Sequence, residues 1–207
     1  MKQSEFERGL RLLIKAEAKA MGWKSIRGTP YWTNGPFFFS MIVSAGAKEG
    51  SFHSSLWFKW LALDRLLWHV LDMSSNENAP FSLHANGAFV LTGWQIQSFT
   101  IRDLVWEPGV LEQQIKTAML EAASKAEDIA REIDSTDAYM RFLDREYEKR
   151  PNAASTVWPE RLLVHMLRGE KTLATEIAKD RIVKHDWGGF YAGDKTFFEH
   201  ALALNEA

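Results

Sequence analysis

The sequence predicts an α+β fold: an antiparallel sheet of about four to six strands packed against an N-terminal helix and a long helix, followed by a C-terminal helical segment. Three observations carry this reading. Between Trp23 and Ile101 apolar and polar residues alternate in short runs separated by turn residues. On either side of that stretch the apolar period becomes that of an amphipathic helix. The order is helix, strands with one inserted helix, then helices, without the regular strand–helix alternation of a parallel sheet. No Gly-x-Gly-x-x-Gly follows a strand, which argues against a dinucleotide-binding α/β fold.

Ser4-x-x-Glu7 is a capping-box pattern, and Phe6, Leu10, Leu13, Ile14, Ala18 and Met21 follow at helical spacing. A first helix is therefore expected over residues 5–21, closed by Gly22. Trp23 to Thr33 reads as short strands broken at Gly28-Thr29-Pro30, and Asn34-Gly35-Pro36 as a further turn. Along 37–45, Phe37, Phe39, Met41 and Val43 share one parity, and Phe38, Ser40, Ile42 and Ser44 the other. Along 51–62, Phe52, Leu56, Phe58 and Trp60 oppose Ser51, His53, Ser55 and Lys59. Such patterns belong to antiparallel strands that cover a core on one side.

Leu63, Leu66, Leu67, Val70 and Leu71 trace a short helix, and 72–80 a polar loop. Residues 88–101 read as one bent strand or a hairpin with a bulge near Gln95 and Gln97. Pro108 suits the first position of a long helix striped by Leu111, Ile115, Ala118, Met119, Ala122, Ala126, Ile129 and Ile133. Asp134 to Asp137 breaks the stripe, and Tyr139, Met140, Leu143 and Tyr147 restart it before Pro151. Further helices are expected over 159–168 and 171–183. A Gly-aromatic loop over 186–193 then leads to a last helix capped by Asp194. Residues 1–150 form an α+β domain in this reading, and 151–207 a helical extension packed on it.

The N-terminal helix, the Gly22-Trp23-Lys24 step, the strand ending in Tyr31-Trp32 and the alternating strand from Phe37 to Ser44 resemble an uncharacterised bacterial family, domain of unknown function 4304. The resemblance runs through the long helix and the Asp134-Ser135-Thr136 break, over roughly residues 4 to 145. It implies the same α+β fold and carries over no catalytic residue.

Composition excludes several functions. The chain of 207 residues has no cysteine, which removes disulfides, thiolate metal sites and thiol catalysis. Its net charge of -2 offers no strong basic field, so nucleic acid and anionic membranes are disfavoured as partners. No apolar leader follows the first residues and no apolar run approaches the ~20 residues of a membrane span, so the expectation is a cytoplasmic protein. No cofactor is expected. The stretch Gly188 to Thr196 approaches a phosphate-binding loop, but Asp194 stands where Lys should directly follow the last Gly. His185-Asp186 lacks further ligands in sequence, so no metal site is expected. Arg65, His69 and Asp72 fit the solvated face of their helix, and Ser51, His53, Ser54 and Ser55 the outer side of a strand.

Nine tryptophans are the chief anomaly, seven of them before Glu107. Trp57 falls on the polar parity beside His53 and Lys59. It is therefore either covered by the helices after Pro151 or offered as a contact residue. Trp187, Phe190 and Tyr191 flank adjacent glycines in a loop that either folds back on the helices or anchors a partner. Candidate binding residues are His53, Trp57, Lys59, Trp187, Phe190 and Tyr191, with no catalytic residue assigned. The leading reading is a non-catalytic binding or protein-interaction domain of regulatory or immunity type, with another protein as partner. The competing one is an enzyme with a dispersed acid–base site in a sheet–helix cleft, His53 and His84 being its first candidates.

Overall fold

Sixteen segments of regular structure follow one another along the chain, in a computed structural model that describes residues 3–107, 109–150 and 154–206. They are α1 (Gln3–Ala20), β1 (Lys24–Ile26), β2 (Thr29–Asn34), β3 (Phe37–Gly46), β4 (Ser51–Trp60), α2 (Leu61–Val70), a 3-10 turn (Ser74–Asn78) and α3 (Leu83–Asn86). After these come β5 (Trp94–Ile101), α4 (Val110–Glu132), α5 (Thr136–Lys149), α6 (Ala154–Leu167), α7 (Lys171–Val183), β6 (Tyr191–Ala192), β7 (Lys195–Thr196) and α8 (Phe197–Glu206). They gather into two compact units. The first joins the chain up to Trp60 with Gly93–Arg131, and the second joins Leu61–Thr92 with the chain from Glu132 on.

The first unit is the antiparallel sheet and its helices. The strands lie in the order β1-β2-β3-β4-β5, each paired with its neighbour in sequence. Two-residue turns at Arg27-Gly28 and Gly35-Pro36 fix the first two registers, Ile26 opposite Thr29 and Asn34 opposite Phe37. Met41 then faces Leu56, and Phe39 faces Phe58. Phe39, Met41, Leu56 and Phe58 are buried as their parity predicts, while Val43 and Trp60, nearer the strand ends, are half-buried. On α1 the buried residues are Phe6, Leu10, Ile14 and Ala18, and the helix lies against β1, β2 and β3. Its stripe meets the sheet because residues four apart stack on one helical face. On α4 the stripe Ile115, Ala118, Met119, Ala122, Ala126 and Ile129 is buried throughout.

The second unit is helical. There α2 packs on α6 and α8, α5 on α6, α6 on α7, and α7 on α8. Its buried apolar residues include Leu63, Leu67, Trp68, Tyr139, Leu143, Leu162, Leu163, Phe197 and Phe198.

Several expectations need correction. The Ser4/Glu7 pair lies inside the first turn of α1, where Glu7 accepts a hydrogen bond from the Gln3 side chain at 3.0 Å. The strand expected through residue 62 gives way to α2 at Leu61, and residues 88–93 are not strand. Gly93 separates that stretch from β5. Its φ is +81°, and a Cβ there would meet the Phe58 carbonyl oxygen at 2.7 Å, so only glycine fits. The expected bulge does occur, with the register shifting between Leu56 and Trp57 opposite β5. Asp72 leaves the helical face, because α2 ends at Val70 and Asp72 takes a left-handed φ of 57°.

The helix expected from Pro159 begins at Ala154 and holds Pro159 inside. A proline so near a helix start removes a single intrahelical bond, a loss that packing can offset. Asp194 does not cap the last helix; it stands in the turn between β6 and β7. Thr196 and Glu199 form the cap instead. The Thr196 N–H and hydroxyl donate to Glu199 Oε2 at 2.7 and 2.8 Å, and the Glu199 N–H donates to Thr196 Oγ1 at 3.3 Å. These bonds, the backbone one first, hold the Glu199 carboxyl below its ordinary range. The expectations placed on Pro108 and Pro151 fall outside the described residues. Among the described residues no helix is long and apolar enough to cross a membrane.

Candidate functional site

Three of the predicted residues share the outer face of the sheet in the first unit. Cross-strand pairing sets Lys59 opposite Phe38, Trp57 opposite Ser40, and His53 between Ser44 and Thr100. Trp57 is half-buried, and its indole N–H donates to Ser55 Oγ at 3.0 Å. His53 Nδ1 lies 2.9 Å from Thr100 Oγ1. Lys59 is not on a solvent face. It is 3% exposed, with its ammonium 5.6 Å from the centre of the Phe38 ring. The outer face has an aromatic patch of its own, in which Tyr31 stacks on Phe38 at 5.5 Å. Phe38 on the polar parity was the sequence signal for it.

Trp187, Phe190 and Tyr191 belong to the second unit, where the hairpin β6–β7 presents them. Trp187 and Tyr191 stack at 5.2 Å and remain 46% and 54% exposed. Phe190 turns inward, 6.4 Å from the Phe197 ring. The segment is pinned at its base. Asp186 Oδ1 accepts the Gly188 N–H at 3.0 Å, and the Phe197 N–H donates to the Phe190 carbonyl at 3.0 Å. Gly188 rests directly on α8, since a Cβ there would lie 2.9 Å from the Phe197 ring.

This segment forms one wall of a pocket of about 400 Å³. Residues 87–92 form the second wall, and Thr156 and Pro159 of α6 the third. The second wall is held by buried polar groups. Asp64, fully buried on α2, accepts the Leu91 N–H at 2.8 Å through Oδ1 and meets His84 Nδ1 at 2.6 Å through Oδ2. Trp68 Nε1 donates to the Phe89 carbonyl at 2.5 Å. Trp68 and Phe81 lie against His84, with ring centres 5.1 and 5.0 Å away. Asp64 was missed in the sequence, although a carboxylate four residues before Trp68 and seven before Leu71 lies on the buried side of its helix. The described residues that line the pocket carry no ionisable side chain; their side-chain hydroxyls are those of Thr92 and Thr156. These groups offer apolar and hydrogen-bonding contacts.

Another polar cluster of this unit surrounds Trp158 and Glu160. Tyr139 OH donates to the buried Glu160 Oε2 at 2.5 Å. Arg181 and Arg161 lie 4.2 and 5.3 Å from the Trp158 ring centre, and Arg161 pairs with Asp144. Burial lowers the Arg161 pKa. His185 takes a left-handed φ of 54° at the end of α7, and Gly188 to Thr196 folds into the β6–β7 hairpin and the approach to α8. Among the described residues no group of three or more His, Cys, Asp or Glu is placed to hold a metal ion. No family model, no curated protein and no solved structure matches the chain.

Proposed function

We propose that the chain is a non-catalytic binding protein of regulatory or immunity type, acting on another protein in the cytoplasm, with the Trp187/Tyr191 hairpin as its anchor. One observation carries this. Two large rings are stacked and held in place, yet each leaves about half of its surface uncovered. Aromatic side chains so fixed lose little conformational freedom on association and supply much of the energy at protein interfaces. A relation to the bacterial family named above is part of the proposal and rests on the residue pattern alone.

The test compares the full chain with the Trp187→Ala/Tyr191→Ala variant as baits in a bacterial lysate, with bound proteins counted by mass spectrometry. Both rings are exposed, so the variant's stability should stay within about 1 kcal/mol of the parent. A protein held by the parent and released by the variant is the expected result. Equal capture by both would reject the anchor.

A second reading, an enzyme, is favoured by the Asp64–His84 pair, since a carboxylate that orients an imidazole is the arrangement of a general base. Against it, His84 is 8% exposed and enclosed by two aromatic rings. Hydrolysis of any ester or amide in a substrate panel, lost in His84→Gln with the fold intact, would establish it.

A further inference from the structure

We infer that the pocket between residues 87–92, α6 and the Trp187–Phe190 segment binds a small, uncharged, planar aromatic molecule. Its volume of about 400 Å³ is that of a site for a one- or two-ring compound. A charged ligand leaving water would meet no opposite charge among the described side chains that line it. A neutral one meets the two threonine hydroxyls, each able to donate and accept, which suit ring heteroatoms. Two of the lining side chains, Trp187 and Phe190, are aromatic rings, and flat surfaces of that kind favour a flat guest.

The site is also built in advance. Tyr191 backs the Trp187 ring at an interplanar angle of 25°, so the ring is already ordered. Asp64 and Trp68 fix the facing wall through the Leu91 N–H and the Phe89 carbonyl. In this arrangement the hydrogen-bonded Asp64–His84 pair is a positioning element beneath a ligand site, which gives it a use other than catalysis. The inference needs no protein partner, so its test is independent of the lysate experiment.

The test is calorimetric titration of the full chain with indole, indole-3-acetate and tryptamine, which share one ring system and differ in charge. Indole should bind saturably at one site, with each charged analogue about tenfold weaker or more. Trp187→Ala, at an exposed position that leaves the fold intact, should weaken indole about tenfold. Ala88→Trp, which fills the pocket from the opposite wall, should abolish binding. Absence of saturable indole binding would overturn the inference. So would charged analogues binding as tightly as indole, or an affinity unchanged in Trp187→Ala.

Discussion

The two units of this chain are stabilised in different ways. In the first, the inner sheet face is almost wholly aromatic and aliphatic: Phe37, Phe39 and Phe58 meet one another with ring centres 5.9–6.4 Å apart, beside Met41 and Leu56. In the second, a group of ionisable side chains enters the interior. Asp64, His84, Glu146, Glu160 and Arg181 are all buried there. A hydrophobic core is forgiving of its neighbours and sensitive to volume. A buried polar network is the reverse. It tolerates little change in any one member, because each removal strands another.

Two substitutions of similar size should expose the contrast. Phe58→Ala should cost about 3–5 kcal/mol by cavity formation, measured by urea titration. Asp64→Ala should cost about as much, 3–5 kcal/mol, but for another reason, since it removes the buried carboxylate that accepts the Leu91 N–H and faces His84. The two causes separate in a double variant. His84→Phe added to Asp64→Ala should recover part of the loss by replacing the imidazole that faced the carboxylate with an apolar ring, while no single apolar partner change should rescue Phe58→Ala. Equal non-recovery in both would erase the distinction. A smaller effect is expected at the start of α8. Thr196→Ala removes the two hydroxyl bonds of its cap, leaves the backbone N–H bond to Glu199, and should cost about 1 kcal/mol, with Ser in its place restoring most of it.

The smallest effect depends on pH. Burial pushes the Glu146 carboxyl up, but hydrogen bonds from Lys149 and Arg150 and their charges outweigh it, so its pKa lies below the ordinary 4.5. A carboxylate lowered by folding adds stability above the unfolded value and loses it as the pH falls through the folded one. The Lys149 and Arg150 side chains are largely exposed, so Glu146→Gln should cost under about 1 kcal/mol at pH 7. That difference should shrink below pH 4.5. A difference that grows in acid would mean that another interaction of Glu146 dominates.

The same contrast governs what was legible in the sequence. Period-two patterning named the faces of β3 and β4 because a strand alternates strictly, and the turns at Gly28 and Gly35 left few alternative registers. The burial of Lys59 was hidden because parity tells which side a residue takes, not whether that side is covered. Ala88 to Val90 looked like strand because its residues are apolar. The backbone there is engaged instead by side chains of α2, the Phe89 carbonyl by Trp68 and the Leu91 N–H by Asp64, a tertiary fact. In the second unit, Pro159 and Asp194 misled because each has strong local preferences that the surrounding packing overrode. Of the candidate site, the aromatic segment at Trp187 was legible as an anomaly. The opposite wall depends on Asp64 reaching residues twenty and twenty-seven positions away, a range at which no local pattern speaks.

The insertion between β4 and β5 bears on how the chain acquires its shape. The hairpins from β1 to β4 close through turns of two to four residues, whereas β5 reaches β4 only after the whole of Leu61–Thr92 has been crossed. Closing a longer loop costs more entropy, so β5 joins late and β4 is a temporary edge with unpaired amides. The Phe52, Leu56 and Phe58 side chains on that strand are the greasy face of an open edge during that interval. Pulse-labelled hydrogen exchange should therefore protect the amides shared by β3 and β4 before those shared by β4 and β5. Newly made chain should be most prone to self-association just before residue 94 onward has emerged.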